Sequence, residues 1–500
     1  MEVYRSNYVE VLPKLLQKME GAAFISFDAE YTGLKFNDGE LTSLFDNIVH
    51  RYEKLRKVVL SNSAPQFGLS IFHRIEDSNN CTEQIYSVDA YSFHLTEACF
   101  ADFNMTGVKA SVDTECCQFL KEIKFDYGVW LRNSVPYLNK MRSKELEEYL
   151  DKNPDFMEKC LLEDRPLDSK FFPERVKLIT EDYKKEIVRR LRGFSTIVDV
   201  ISERKIPVVG HNMILDLMYF FHQFCSDLPE QYVDFKTEVV KFLPVIFDTK
   251  YMTVRCRRML KHPSLKHSQK DLEQLECSGL YVIYNASSSV VDKFSPRFLL
   301  SPNCQYFQDD LDRGKTVNLD EVENANLCHE PSFDACVTGI VFLNLAHIAC
   351  RLDKDFLRKD CAPTMENVMF GVRHLQDQIF IARASMKTMC LKGEDPRPIG
   401  SWLKICVGDG QNIDVKNIFK TAQSETKQKL NGVDYLQITE KEIWLAVARI
   451  ERAKEMAAIL PKFGYEVTNM LIPWDKKRYS IVDQLKTDDV YDTYRNKFLS

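Results

Sequence analysis

Phe24-Ile25-Ser26-Phe27-Asp28-Ala29-Glu30 is an apolar run that closes on two acids. It reads as a β-strand. Successive side chains on a strand point to opposite faces, so Asp28 and Glu30 share one face while Phe27 and Ala29 take the other. Two carboxylates at the end of a buried strand are costly unless a cation or hydrogen bonds compensate them. A divalent metal ion is the obvious partner. Taken alone, Asp-x-Glu is also a common surface strand end, so its meaning depends on the rest of the chain.

Outward from this strand, residues 7–20 have helical apolar spacing. Residues 37–58 are mixed and charged, expected as a surface helix. Gln66–His73 and Gln84–Phe93 read as two more strands around a polar turn, giving a mixed sheet, and 112–124 as a helix. Ser143–Glu203 is highly charged and helix-forming. Ile206–Val209 is a short buried strand, Gly210–Phe224 the start and body of a helix, and Val245–Asp248 a strand that again ends in an acid. Asp271–Cys277 is expected as a short helix and 284–326 as a long loop or insertion. Helix returns at Ser332–Ala349 and near 366–375. Beyond about residue 378 the order is β-α-β-β-α-β, that of an RNA-recognition-motif or ferredoxin-like domain. The fold class expected is α/β: a nuclease-type mixed sheet flanked by helices over 1–375, a small α+β domain over 376–475 and a flexible tail over 476–500.

Five hundred residues leave room for about two to four domains. The net charge of −6 excludes a chain that is basic throughout, so any nucleic-acid site is a local patch. Fifteen cysteines include no C-x-x-C pair, which argues against a zinc framework or a thioredoxin-type motif. Adjacent Cys116 and Cys117 suit reduced thiols, hence a cytoplasmic location, with perinuclear granules or the nucleus as alternatives. The N-terminus lacks the apolar core of a signal peptide. Gly339–Cys350, the longest apolar candidate, is interrupted by Asn344 and His347, so no membrane span is expected.

Two further segments bring acids. His211-Asn212-Met213-Ile214-Leu215-Asp216 follows a strand and places Asp216 on the first turns of a helix. His329 precedes Asp334 by five residues at another helix start. Each alone has an ordinary reading: a solvated helix acid, a satisfied loop histidine, a first-turn acid favoured by the helix dipole. Together, four acids from three segments can converge on two metal ions about 3.5–4 Å apart. One ion would polarise an attacking water and the other would stabilise the leaving 3′-oxygen. His329 has the chemistry to take the water's proton.

The joint pattern resembles the DEDD exonucleases, in the branch with H-N-x-x-x-D and H-x-x-x-x-D. FDAEYTGL (27–34), QFGLSIF (66–72), FDYGVWLRNSVPYLNK (125–140), PVVGHNMILDLMY (207–219), FDTKYM (247–252) and FDACVTGI (333–340) are similar to the poly(A)-specific ribonuclease family and its PARN-like piRNA-precursor trimmers. The resemblance covers roughly residues 1–350. It implies an RNase H-like nuclease domain, a Mg²⁺-dependent 3′→5′ exoribonuclease with two ions (Mn²⁺ as a substitute), and single-stranded RNA as substrate. Asp28, Glu30, Asp216 and Asp334 carry over as metal-binding catalytic acids and His329 as general base. A homodimer is implied, and for a trimmer an adaptor that presents Argonaute/PIWI-bound RNA.

Three departures bear on substrate. Lys140–Pro207 is too short for the deadenylase's inserted nucleic-acid-binding domain, leaving a helical insertion over about 141–205. Trp402 and Trp444 are the local candidates for cap binding, neither in a matching context, and both read better as core residues. Trimmers of this group resemble tail-anchored proteins, and this chain shows no such segment. Small-RNA trimming is therefore favoured over mRNA deadenylation, with a non-catalytic RNA-binding adaptor as a third reading. For the RNA path, Arg255, Arg257 and Arg258 lie in a basic run that is either phosphate-binding or a solvated face. Tyr31 is a candidate to stack on the terminal base, with simple packing as the alternative, and Asn212 is a further candidate contact.

Overall fold

A computed structural model describes residues 1–34, 42–75, 83–98, 111–153, 181–260, 279–289, 294–304, 329–352, 362–396, 401–426 and 432–470. The chain divides into two compact units: residues 1–36 with 56–379, and residues 37–55 with 380–500. The C-terminal unit thus takes in a segment from near the N-terminus, a division that differs from the linear boundary at about 375 expected from sequence.

In the first unit, β1 (Glu2–Val3) and α1 (Arg5–Lys18) precede β2 (Phe24–Glu30). Helix α2 (Ile48–Ser61), whose residues up to Leu55 belong to the second unit, leads to β3 (Gln66–Ile75) and β4 (Gln84–Glu97). Next come α3 (Thr114–Glu122), α4 (Tyr127–Asn133), β5 (Val135–Tyr137), α5 (Lys140–Lys152), α6 (Glu181–Arg192) and α7 (Phe194–Glu203). Then follow β6 (Val208–Gly210), α8 (Ile214–Phe220), α9 (Tyr232–Phe242), β7 (Ile246–Asp248), α10 (Thr249–Leu260), α11 (Leu280–Ser288) and β8 (Pro296–Leu300). Helices α12 (Pro331–Leu352) and α13 (Met365–Val372) complete it.

The sheet runs β1-β4-β3-β2-β6-β7, with β5 and β8 also on β4. Strands β2, β3 and β4 pair antiparallel, and β2, β6 and β7 pair parallel. The short parallel strands β6 and β7 are buried throughout, which suits strands covered on both faces. Two sequence expectations change. Residues 296–300 form a strand on β4 where a loop was expected. Helix α2 is not a surface helix: Ile48, Tyr52, Leu55, Val58 and Val59 are buried. Asp271–Cys277, most of the 284–326 insertion and the tail fall outside the described residues.

Helix α12 is apolar on every side, the pattern of a buried helix. Residues Pro331–Cys350 are long and apolar enough to cross a membrane, yet all are buried within this unit. The helix lies directly on β2 and β3. Gly68, paired with Asp28 across the sheet, permits this: a Cβ there would sit 1.9 Å from the Pro331 carbonyl oxygen. A Cβ on Gly339 would fall 2.2 Å from the Phe72 ring. Ser26 Oγ donates to the Ala335 carbonyl at 2.6 Å and Ser70 Oγ to that of Ser332 at 3.3 Å, sealing helix to sheet.

In the second unit β9 (Ser401–Cys406), α14 (Val415–Thr426), β10 (Val433–Thr439), β11 (Glu442–Val447), α15 (Ile450–Ile459) and β12 (Glu466–Met470) follow the expected β-α-β-β-α-β order. They form an antiparallel sheet in the order β10-β11-β9-β12. Leu403, Ile405, Ile443 and Leu445 face a core with Ile418, Ala422, Ala453 and Met456 of the helices. On the opposite face Trp402, 5% exposed, packs with Leu44, Phe45 and Ala446.

Gly68→Ala is expected to destabilise the first unit by about 1–3 kcal/mol, the usual cost of forcing atoms into a packed contact. A urea midpoint unchanged from wild type would contradict the close approach of α12.

Candidate active site

Strand β2 carries Asp28 half-buried and Glu30 buried. Asp216 enters from the first turn of α8 and Asp334 from the first turn of α12, both buried. At the start of α12, Pro331 takes the first helical position, where its missing N–H costs nothing. Glu330 caps that end: its carboxylate accepts from the Phe333 N–H at 2.7 Å and from Ser332 Oγ at 2.8 Å.

Helix α12 therefore delivers Asp334 and His329 to the end of β2. Ligating atoms of Glu30, His329 and Asp334 all lie within 4.8 Å of one another. The strongest charged neighbours of Asp28 are Asp334, Asp216, Glu30 and Glu330, all acids. The structure thus brings together all four acids and the histidine singled out in the sequence.

His329 stands in the left-handed region at φ 67°, with its side chain 54% exposed. Its N–H donates to Asp334 Oδ2 at 3.2 Å and its Nδ1 lies 3.9 Å from Glu30 Oε1. The Phe119 ring of α3 meets the imidazole edge to face at 4.9 Å. An exposed imidazole beside buried carboxylates can accept a proton from water.

Two tyrosines hold the outer acids. Tyr31 OH donates to Asp216 Oδ1 at 2.5 Å, and its ring stacks on Tyr219 at 4.9 Å. Tyr281 OH of α11 donates to Asp334 Oδ1. Tyr281 was not singled out in the sequence, since nothing in its neighbourhood marks it. Asn212 sits at φ 56° in the β6–α8 loop; its N–H donates to Asp248 at 3.0 Å, and its buried Oδ1 has no partner among the described residues. Arg255 is exposed on α10, where its charge acts on Cys256 and His374, and it is not among the strongest charged neighbours of the acids. The side chains of Arg257 and Arg258 lie outside the described residues.

Burial, then mutual repulsion, pushes Asp28 and Glu30 well above the ordinary carboxylate range. Burial pushes Asp216 and Asp334 up to about 7, against the pull of the tyrosine hydroxyls. Clustered carboxylate oxygens without a protein cation among their strongest neighbours are the donor set of a hard divalent ion. The residues present therefore fit such an ion.

In the unfolded chain these carboxyls ionise near about 4. Folded, they keep their protons to higher pH. The cluster thus favours folding at low pH, and that contribution is lost as pH rises from about 4 through about 7. In EDTA, urea unfolding between pH 5.5 and 8 is expected to show this loss, and Asp216→Asn to reduce it. Mn²⁺ at pH 8 is expected to restore stability by binding the folded state. Stability that rises across this range and is insensitive to Asp216→Asn would contradict the assignment.

The CAF1 family ribonuclease profile matches residues 3–342. Poly(A)-specific ribonuclease PNLDC1 of Mus musculus is 23% identical over 410 residues, covering 70% of this chain and 71% of the relative. The pre-piRNA 3′-exonuclease trimmer of Bombyx mori is 23% identical, with the same coverage of 70% and 71%. Poly(A)-specific ribonuclease PARN of Danio rerio is 26% identical over 69% of this chain and 60% of its own length. Among solved structures, the RNase domain of yeast Pop2 aligns at a TM-score of 0.36 and 11% identity, over 70% of this chain and 86% of that chain. With the acids and the histidine gathered at one strand end and the family profile spanning well over half of the sequence, the chain belongs to the CAF1 ribonuclease family and is a 3′→5′ exoribonuclease.

Proposed function

We propose that this enzyme trims the 3′ ends of single-stranded RNA, releasing nucleoside 5′-monophosphates, and that its substrates are precursors of small non-coding RNA. The observation that carries the chemistry is the convergence of Asp28, Glu30, Asp216 and Asp334 with His329 beside them. Asp28, Glu30, Asp216 and Asp334 would hold two Mg²⁺ ions, with Mn²⁺ as a substitute. When bound, such ions polarise the attacking water and neutralise the leaving 3′-oxygen. His329 takes the proton of that water: its ring is exposed beside Glu30, while its backbone N–H is tied to Asp334. Tyr31 and Tyr281 fix the rotamers of Asp216 and Asp334 by each holding one carboxylate oxygen.

Small-RNA trimming is supported by the silkworm relative, which is named as a pre-piRNA 3′-exonuclease trimmer, and by the short span between the PYLN and GHNM segments. Burial of Trp402 against Phe45, at 5.1 Å between ring centroids, favours its reading as a core residue over a cap-stacking one. A homodimer, and an adaptor that presents Argonaute-bound RNA, belong to the same proposal. Poly(A) deadenylation is the second reading, supported by the mouse and zebrafish relatives, both named poly(A)-specific ribonucleases.

Incubation of the protein with 5′-labelled single-stranded RNA and Mg²⁺ is expected to give a ladder shortening from the 3′ end, absent with EDTA. Asp28→Ala should lose at least about a thousandfold in rate, as for a residue that acts within a unit. His329→Ala should lose about 10²–10⁴-fold, the usual worth of a general base. Poly(A) compared with an unbiased oligonucleotide panel separates the two substrates: strong adenosine preference with cap stimulation would overturn the trimming reading. No shortening in any sample, including cell extract, would overturn the catalytic one.

A further inference from the structure

The FDTKYM segment holds an acid that the proposed chemistry does not use. Asp248 ends β7 and is 0% exposed. A carboxylate at that depth, close to other acids, is costly, and its charge is among those that raise the Asp216 carboxyl. What it receives in return is a set of backbone donors. Its Oδ1 accepts from the N–H groups of Lys250 at 2.9 Å, Asn212 at 3.0 Å and Tyr251 at 3.3 Å; its Oδ2 accepts from that of Met213 at 3.4 Å.

These donors fall into two groups. Lys250 and Tyr251 are in the first turn of α10, and capping that turn is ordinary work for an Asp. Asn212 and Met213 belong to another element, the loop that leaves β6 and starts α8. Gly210 pairs with Asp248 across β6 and β7, so the carboxylate lies where that loop departs from the sheet. The loop needs fixing: Asn212 is left-handed, and Met213 precedes α8 without a side-chain cap. A second tie runs alongside, from Thr249 Oγ1 to His211 Nδ1 at 2.8 Å and to the Gly210 carbonyl at 3.2 Å. Asp216 follows within one turn.

We propose that Asp248 is a positioning residue for Asp216, bridging from β7 to the β6–α8 loop and so setting where α8 presents the metal-binding carboxylate. This rests on the reading of Asp216 as a metal ligand. Asp248 touches neither metal nor substrate; it acts through the backbone of Asn212 and Met213.

The test is calorimetric titration of Mn²⁺ into the RNA-free full chain, with urea unfolding in EDTA on the same samples. Asp248→Ser keeps an oxygen that caps α10 and is too short to reach Asn212. It is expected to weaken Mn²⁺ binding about tenfold or more, the scale of a lost outer-shell partner, at a urea midpoint close to wild type. Asp248→Asn keeps a carbonyl oxygen for the three donors on Oδ1 and is expected within about threefold of wild type. Thr249→Val cuts the second tie without touching Asp248 and is expected to weaken Mn²⁺ by a few-fold; unchanged affinity there overturns the proposal should Asp248→Ser fail to fold. Wild-type affinity in Asp248→Ser, or an Asp248→Asn variant as weak as the serine, also overturns it. No Mn²⁺ binding by the wild type would instead overturn the metal reading of Asp216.

Discussion

Like charges held in a dry place are the constraint on which this nuclease unit depends. Four carboxylates from β2, α8 and α12 meet with other acids as their strongest charged neighbours. Folding does not favour that arrangement by itself: it requires desolvation of each acid and their mutual approach. Tight packing around the acids compensates. Gly68 and Gly339 remove the side chains that would hold α12 off the sheet, and Ser26 and Ser70 bind it there. The apolar body of α12 then buries Phe333, Val337, Ile340 and Val341 against Phe24 and Phe72. Hydrophobic burial along the helix thus holds its acidic first turn in place.

The second unit meets a different problem. A four-stranded sheet with two helices on one face leaves the other face open. Here Leu44 and Phe45 cover the end of it that carries Trp402 and Ala446. The covering segment is pinned by charge as well as by packing. Asp434 accepts from the Leu44 N–H at 2.7 Å and pairs with Arg383 at 2.5 Å. Buried Arg51 bonds Asp46 at 3.1 Å and the carbonyls of Ser43, Ala382 and Arg383. Both charges of the Arg51–Asp46 pair are buried, and the carbonyls use most of the remaining guanidinium donors, which is the condition under which such a pair is tolerated.

Much of this was legible in the sequence, for reasons that can be named. Period-two alternation placed Asp28 and Glu30 on one face, and strand-then-acid spacing marked Asp216. Those signals are local. Gly68 gave no signal of its own, because its role is defined by a carbonyl more than 250 residues away. Tyr281 and Phe119 likewise act across long sequence separations. The segment 37–58 read as a surface helix because Arg51 is satisfied by Asp46 and by the carbonyls of Ala382 and Arg383, and the Asp46 backbone carbonyl by Ser385, partners that no periodicity reveals. Residues 296–300 read as loop because an edge strand pairing with β4 needs only five residues and little apolar patterning.

The site divides its labour between rigid and accessible groups. Asp216 and Asp334 are buried, and each accepts a tyrosine hydroxyl that is itself set by the fold: Tyr31 by its stack on Tyr219, Tyr281 by its place on α11 beside Phe333. Hydrogen bonds of this kind fix ligand rotamers before any ion arrives, so little entropy is lost on binding. His329 is built the other way. It lies outside the helix, in a left-handed conformation that a non-glycine residue adopts at some cost, and keeps half of its side chain exposed. A histidine one residue later would fall at the Glu330 position, where the carboxylate caps α12. The strained turn therefore lets one short segment do two incompatible things: fold an acid back as a helix cap and leave the adjoining imidazole in reach of water.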